Sequence, residues 1–285
     1  MTCRIVAELS ANHLGSLDRA RAIIDAAARA GADAVKLQTF TPEQMANPEA
    51  IVEAGPWAGC NLVDLYTKAH VPRAWHGVLF QRIRDHGMEA FSSVFHPDDV
   101  DFLESLDCPR YKIASFELTD YALIAHAART GKPLIISTGM ALRHEIEQAV
   151  LCAFQAGCRD LTVLRCVSAY PSSPKDANLR TMQHLAHTVL AGLGIKVGLS
   201  DHSMGIGVAV AAAALGATMI EKHLTLARAD GGPDAAFSME PHEFAQMVVE
   251  CRRAVEAVGG VRYGPSTAEE PHLRLRRAPG GKRAA

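Results

Sequence analysis

The sequence lacks the marks of several common protein classes. Seven cysteines are present (Cys3, Cys60, Cys108, Cys152, Cys158, Cys166 and Cys251), but no two form a CxxC pair. An odd number without paired spacing argues against a disulfide framework or a zinc ribbon, and fits a reducing cytosol. No GxGxxG fingerprint and no P-loop occur, which weakens a nucleotide-binding reading. The chain enters a strand-like run at once, without a charged-then-apolar leader. Its longest apolar run, Val208–Leu215, is too short to span a bilayer. The formal net charge of −2 argues against a broad nucleic-acid surface but allows a local basic pocket. These absences lead us to expect a cytoplasmic protein with no membrane or nucleic-acid partner.

What is present is ordinary in bulk and regular in pattern. Hydrophobic residues make up 48% and charged residues 21% of 285 residues, enough for one large core. Short apolar runs alternate with amphipathic ones. Strands are expected at Arg4–Leu9, Ala34–Gln38, Ala90–Val94, Tyr111–Ala114, Leu134–Ser137, Leu161–Arg165, Lys196–Leu199 and Met219–His223. Helical periodicity lies near 18–30, 72–86, 97–106, 119–130, 143–156, 178–190, 204–215 and 241–257. Gly31, Gly87, Gly131, Gly157 and Gly216 each close a helix just before the next strand. Eight strand–helix units in order imply a parallel sheet with right-handed crossovers, and eight strands close a TIM barrel, (β/α)8. The alternative for the same pattern is an open doubly wound sheet. The barrel domain is expected over 1–260, with a linker-like, disordered tail over 261–285. Residues 41–70 form a long insert after strand two, placed as a substrate lid would be.

Polar groups cluster where the strands end, which in a barrel is where chemistry sits. Strand one ends in Glu8, Ser10, Asn12 and His13, strand two in Lys36 and Gln38, strand three in Ser92 and Ser93. Strand four carries Lys112, Ser115 and Glu117; strand five closes with Ser137 and Thr138; strand six leads to Ser168 and Tyr170. Strand seven leads to Ser200, Asp201 and His202, and strand eight to Glu221, Lys222 and His223. A lysine is ordinarily a solvated surface residue. Within apolar strands, Lys36 and Lys112 instead suggest a donor-rich cradle, with Ser115, Ser137 and Ser200, for a small phosphate-and-carboxylate anion. His202 and His223 follow neighbouring strands, so their imidazoles could share a divalent metal; the plainer reading is two satisfied histidines. His13, His70 and His96 are looser candidates of the same kind. Glu8 is a candidate acid or base, or simply the partner of a buried lysine. Asp234, in DGGPDAAF, is a candidate site residue or a turn residue.

The segments AELSANHLGSLDRA, AGADAVKLQTF, FSSVF, VDFLESLDCPRYKIASFEL, GKPLIISTGMA, SAYPSSPKDANL, VGLSDHSMGIGVAVAAAALGAT, EKHLTL and DGGPDAAFSMEP resemble the sialic acid synthase family across about residues 3–265. Within it, the resemblance is strongest to the pseudaminic acid synthase branch. AELSANH stands where sialic acid synthases usually show AEIGxNH, and Phe116 stands where they usually carry glycine. Val94 and Val167 replace a usual proline and threonine, and Ser168 falls where sialic acid synthases can carry asparagine.

The resemblance implies a barrel enzyme that joins phosphoenolpyruvate to an aldehyde amino sugar. Lys36, Ser93, Lys112, Ser115, Ser137, Ser168 and Ser200 match positions that hold phosphoenolpyruvate. His202 and His223 match the ligands of a divalent metal, manganese first, with magnesium or cobalt as alternatives. Glu8, Gln38, Tyr170 and Asp234 match positions that face the sugar or assist proton transfer. The resemblance also implies a homodimer, and an antifreeze-like domain beyond the barrel that GGKRAA cannot supply. Such a domain would come from a separate chain, or the 41–70 insert would take its role. N-acetylneuraminate or legionaminate synthesis, condensation with another aldehyde in secondary metabolism, and a non-catalytic barrel that binds a partner stay open at this stage.

Overall fold

The computed structural model describes residues 2–53, 55–277 and 281. Eight parallel strands close a barrel in sequence order, so the open-sheet alternative is excluded. The strands are β1 (Arg4–Glu8), β2 (Ala34–Thr39), β3 (Glu89–Val94), β4 (Tyr111–Ile113), β5 (Leu134–Ser137), β6 (Leu161–Cys166), β7 (Lys196–Asp201) and β8 (Met219–His223). Closure is made by β1 against β8, in register from Arg4↔Met219 to Glu8↔His223. The outer ring comprises α1 (Leu17–Ala30), α4 (Arg73–Asp85), α5 (Pro97–Glu104), α6 (Tyr121–Arg129), α7 (Arg143–Gln155), α8 (Arg180–His184), α9 (Gly207–Ala214) and α10 (Pro241–Val258). The insert holds α2 (Pro42–Met45) and α3 (Leu62–Ala69).

Local chemistry explains the boundaries. Ser16 caps α1 by accepting from the Arg19 N–H at 3.2 Å, and Gly31 ends it at φ +84, a conformation costly to any residue with a Cβ. Gly87, Gly131, Gly157 and Gly216 also take positive φ, as the helix-closing pattern implies. One helix departs from expectation. The run near 178–190 is one short α-helix, α8, that widens into a π-helical turn over Leu185–Val189.

Strand side chains alternate between two apolar layers. Val35, Leu37, Ile113, Leu134, Ile136 and Ile220 are fully or almost fully buried in one core cluster with helix residues such as Ile23, Leu79, Leu123 and Phe244. Burial on both faces explains why the strands read as short continuous apolar runs. Lys222 belongs to this outer layer. It donates to Asp201 Oδ2 and to the Ser203 carbonyl, both at 2.6 Å, so this polar pair at the strand ends is structural.

All seven cysteines are free thiols. Among the described residues, no helix is long and apolar enough to cross a membrane. The tail after α10 is exposed, with Val261 and Tyr263 over nine-tenths accessible. It includes a 3-10 turn at Glu270–Leu275. The rest of the expected tail, 278–280 and 282–285, lies outside the described residues.

Candidate active site at the carboxyl end of the barrel

Two lysines and two carboxylates meet inside the barrel. Lys36, Lys112, Glu8 and Glu221 are each at most 4% exposed. Lys36 on β2 pairs closely with Glu8 on β1 and donates to Ser93 Oγ at 2.6 Å. Lys112 on β4 donates to both oxygens of Glu221 on β8, at 3.0 and 3.2 Å. Glu221 also accepts from Ser200 Oγ at 3.0 Å, and its other oxygen lies 4.0 Å from Lys36 Nζ. β4 and β8 are not neighbours, so this contact crosses the barrel interior. Both lysines thus have carboxylate partners, which offset the cost of burying them. With these partners, the cradle around the two lysines is close to neutral. An ammonium has three N–H donors, and Lys36 uses two on Glu8 and Ser93.

The carboxyls differ in proton affinity. Burial pushes Glu8 above the usual carboxylate range, although Lys36 beside it pulls the other way. Burial also opposes the charge on Glu221, but Lys112 and Lys36 hold it down to about 2. Glu117, just past β4, is pushed up to about 7 by burial, and its Oε2 has no hydrogen-bond partner. It borders a cavity of about 490 Å³ that Gln44, Tyr66 and Phe116 also line. Glu117 and Glu221 were legible only as polar residues at strand ends. Their roles come from burial and cross-barrel partners, which no local pattern carries.

The serines divide between two arrangements. Ser93 and Ser200 lie against the lysine–carboxylate pairs. Ser115 and Ser168 share a 2.7 Å hydroxyl contact beside Gly139, where φ is +47. A Cβ on Gly139 would fall 2.4 Å from Ser115 Cβ and 2.6 Å from Ser168 Oγ, so only glycine lets the three loops meet. Ser137 Oγ is buried without a hydrogen-bond partner.

His202 and His223 come together, with ring centroids 5.4 Å apart. Nδ1 of His202 faces the Val167 carbonyl at 2.9 Å. Only an N–H can donate there, so in the neutral ring Nε2 carries the lone pair. Burial opposes the charge on this imidazole, while the Cys166 contact raises its pKa above the usual range. Nδ1 of His223 is buried with no partner. Burial, with His202 next to it, holds His223 well below the usual imidazole range and therefore neutral. Neutral imidazoles are the ligating form, so this pair could hold a metal. Among the described residues, no cluster of three or more His, Cys, Asp or Glu side chains is arranged for one. Cys166, absent from our sequence-based candidates, lies 3.9 Å from His202 Nδ1.

The looser histidine candidates are not drawn into the site. His13 accepts from the Gly15 N–H at 3.0 Å and meets the Ala69 carbonyl at 3.1 Å, which occupies both ring nitrogens. His70 contacts the Thr67 carbonyl at 2.7 Å, and His96 caps α5 by accepting from the Asp98 N–H.

An aromatic wall stands over the histidines. Tyr170 lies 4.3 Å from His202, ring to ring, and Phe237 lies 5.0 Å from His223. Trp57, from the insert, packs on Tyr170 at 5.4 Å and donates its indole N–H to the Pro233 carbonyl at 2.8 Å. The insert therefore reaches over the mouth, where a lid belongs. Asp234 follows β8 and accepts from Ser10 Oγ–H and from the Ala11 N–H. Gln38 donates to Ser10 Oγ at 3.1 Å.

A closed barrel that gathers its buried charges at the carboxyl mouth has the architecture of an enzyme, and sequence relationships specify which kind. The chain belongs to the NeuB family, whose model matches residues 23–263. It is 44% identical to a pseudaminic acid synthase of Helicobacter pylori over 94% of this chain and 79% of that protein. Identity to an N,N'-diacetyllegionaminic acid synthase of Legionella pneumophila is 37%, over 95% and 77% of the two chains. The crystal structure of an N-acetylneuraminic acid synthetase from Leptospira borgpetersenii superposes with a TM-score of 0.85 at 31% identity, covering 96% of this chain and 90% of that one.

Proposed function

We propose that this protein condenses phosphoenolpyruvate with an aldehyde amino sugar to give a nonulosonic 2-keto-3-deoxy acid and phosphate, and that the sugar is of the pseudaminic type. The observation that carries the reading is the pairing of unpartnered buried atoms with charge at one mouth. Ser137 Oγ and His223 Nδ1 lack hydrogen-bond partners, and Lys36 and Lys112 lie in the same barrel mouth. Buried polar groups are rarely left without partners unless a ligand supplies them. The sugar class rests on the 44% identity to a pseudaminic acid synthase, above the 37% to a legionaminic one.

In this reading, the anion takes the remaining N–H donors of Lys36 and Lys112 and the hydroxyls of Ser93, Ser115, Ser137, Ser168 and Ser200. These contacts place the nucleophilic methylene carbon of phosphoenolpyruvate toward the histidine side of the mouth. That carbon bonds to the aldehyde carbon, water adds at C2, and phosphate leaves by C–O cleavage. The lysines stabilise charge as it moves. Glu8, with its raised proton affinity, moves a proton at the new hydroxyl or the attacking water. Gln38, Tyr170 and Asp234 face the sugar, and Trp57, Tyr170 and Phe237 exclude water from it.

The histidine pair fits a divalent metal of the manganese, magnesium or cobalt type. His202 offers a fixed Nε2 lone pair and His223 a neutral ring with an unpartnered Nδ1. When bound by His202 and His223, such a cation supplies Lewis-acid polarisation of the sugar's carbonyl oxygen.

Phosphate release tests the proposal. It should appear only when phosphoenolpyruvate, a divalent cation and a six-carbon amino sugar aldehyde are all present, and most strongly with the pseudaminic-type precursor. A preference for the mannosamine or legionaminic precursor would reassign the sugar. No release with any of them would overturn the reaction itself.

A further inference from the structure

Ser10 occupies a backbone conformation that suits glycine. Its φ is +47, in the left-handed region that L residues seldom adopt. Sialic acid synthases usually show glycine at this point of the AEIGxNH motif, as noted above. A serine here carries strain that glycine would not, and the structure shows what the serine gains.

Three of the residues assigned above to the sugar or to proton transfer converge on it. The Ser10 N–H donates to Glu8 Oε1 at 2.8 Å. Its hydroxyl donates to Asp234 Oδ2. The same oxygen accepts from Gln38 Nε2 at 3.1 Å. Because a hydroxyl has one proton and Asp234 takes it, only the NH2 end of Gln38 can complete the contact. The Gln38 amide is thereby fixed in one orientation, with its carbonyl oxygen turned away from Ser10. Asp234 is fixed at Oδ2 by Ser10 and by the Ala11 N–H at 3.2 Å, and no described residue hydrogen-bonds to its Oδ1. Ser10 itself is 2% exposed, so water does not compete for these bonds.

We propose that Ser10 is a positioning residue for the sugar, holding Gln38 and Asp234 in the orientation that recognises it. This rests on the proposed reaction, in which Gln38 and Asp234 face the sugar. Ser10 need not touch the substrate. Its hydroxyl decides which atoms of its two neighbours do.

Ser10→Gly separates this role from a structural one. Glycine relieves the backbone strain, which offsets the lost hydroxyl contacts, so the variant should melt close to the wild-type temperature. A merely structural serine would then leave kinetics intact. We expect the KM for the sugar to rise about tenfold, the loss typical of one buried hydrogen bond, with the KM for phosphoenolpyruvate changed less than twofold. Ser10→Ala keeps the strained backbone and loses only the hydroxyl; it should melt lower and show the same sugar defect. The side-chain amide signals of Gln38 in 15N-labelled protein give a readout that needs no turnover. They should shift and exchange faster with solvent in both variants. A sugar KM within twofold of wild type in Ser10→Gly, or unmoved Gln38 signals, would overturn the proposal. If the wild type releases no phosphate with any amino sugar, the reaction reading fails. The Gln38 signals still decide whether Ser10 orients that residue.

Discussion

Lys112 Nζ reaches Glu221 across the barrel from β4 to β8, at 3.0 and 3.2 Å from its two carboxylate oxygens. The lysine that sequence pattern assigns to an anion is already paired in the protein alone. Its removal therefore has two separable effects. Lys112→Met should weaken phosphoenolpyruvate binding by about tenfold or more. It should also destabilise the fold by about 3–5 kcal/mol, because Glu221 is left charged and buried. Adding Glu221→Gln should recover most of the stability and none of the affinity. Calorimetric titration and urea unfolding of the single and double variants check both parts.

His202→Ala and His223→Ala should each abolish phosphate release while circular dichroism stays native. Both rings sit at strand ends, outside the packed layers between barrel and helices. Chelation should silence the wild type reversibly. Full turnover in metal-free buffer would remove the metal from the proposal.

Gly139→Ala tests the meeting point of three loops. The new Cβ would strike Ser115 and Ser168 at 2.4 and 2.6 Å, and φ is +47. Overpacking of this kind costs about 1–3 kcal/mol. The expected outcome is a lower melting temperature, with the KM for phosphoenolpyruvate raised more than that for the sugar. An unchanged phosphoenolpyruvate KM would detach Ser115 and Ser168 from the anion.

Glu117 should leave a pH signature in stability. Burial raises its carboxyl from the ordinary 4.5 to about 7. Between those values the folded state binds the proton more tightly than the unfolded chain. The stability contributed by Glu117 is therefore fully present below about pH 4.5, falls as pH rises toward 7, and is lost above it. The span corresponds to roughly 3 kcal/mol at most. Glu117→Gln should flatten that part of the curve. Urea midpoints measured at intervals from pH 4.5 to 8 decide it, and parallel curves for wild type and variant would show that Glu117 is not held protonated.

The barrel itself was legible in the sequence, because its signals are local. Alternating apolar runs, helix-closing glycines such as Gly31 and the count of eight units depend on neighbours within a few residues. The polar residues that interrupt or close those runs likewise place Lys36, Lys112, Ser137 and Ser200 toward the carboxyl ends of their strands. The sequence thus determined which residues stand at the mouth. Their partners are another matter. Lys112 and Glu221 are 109 residues apart, Ser10 and Asp234 are 224 apart, and the indole of Trp57 finds a carbonyl 176 residues away. No spacing rule encodes such contacts, since they exist only once β1 closes on β8 and the loops converge. That closure decided that the lysines are neutralised by Glu8 and Glu221. It also decided that the insert's tryptophan packs on Tyr170 beside the histidine pair, and that a strained serine joins three residues the chain keeps far apart.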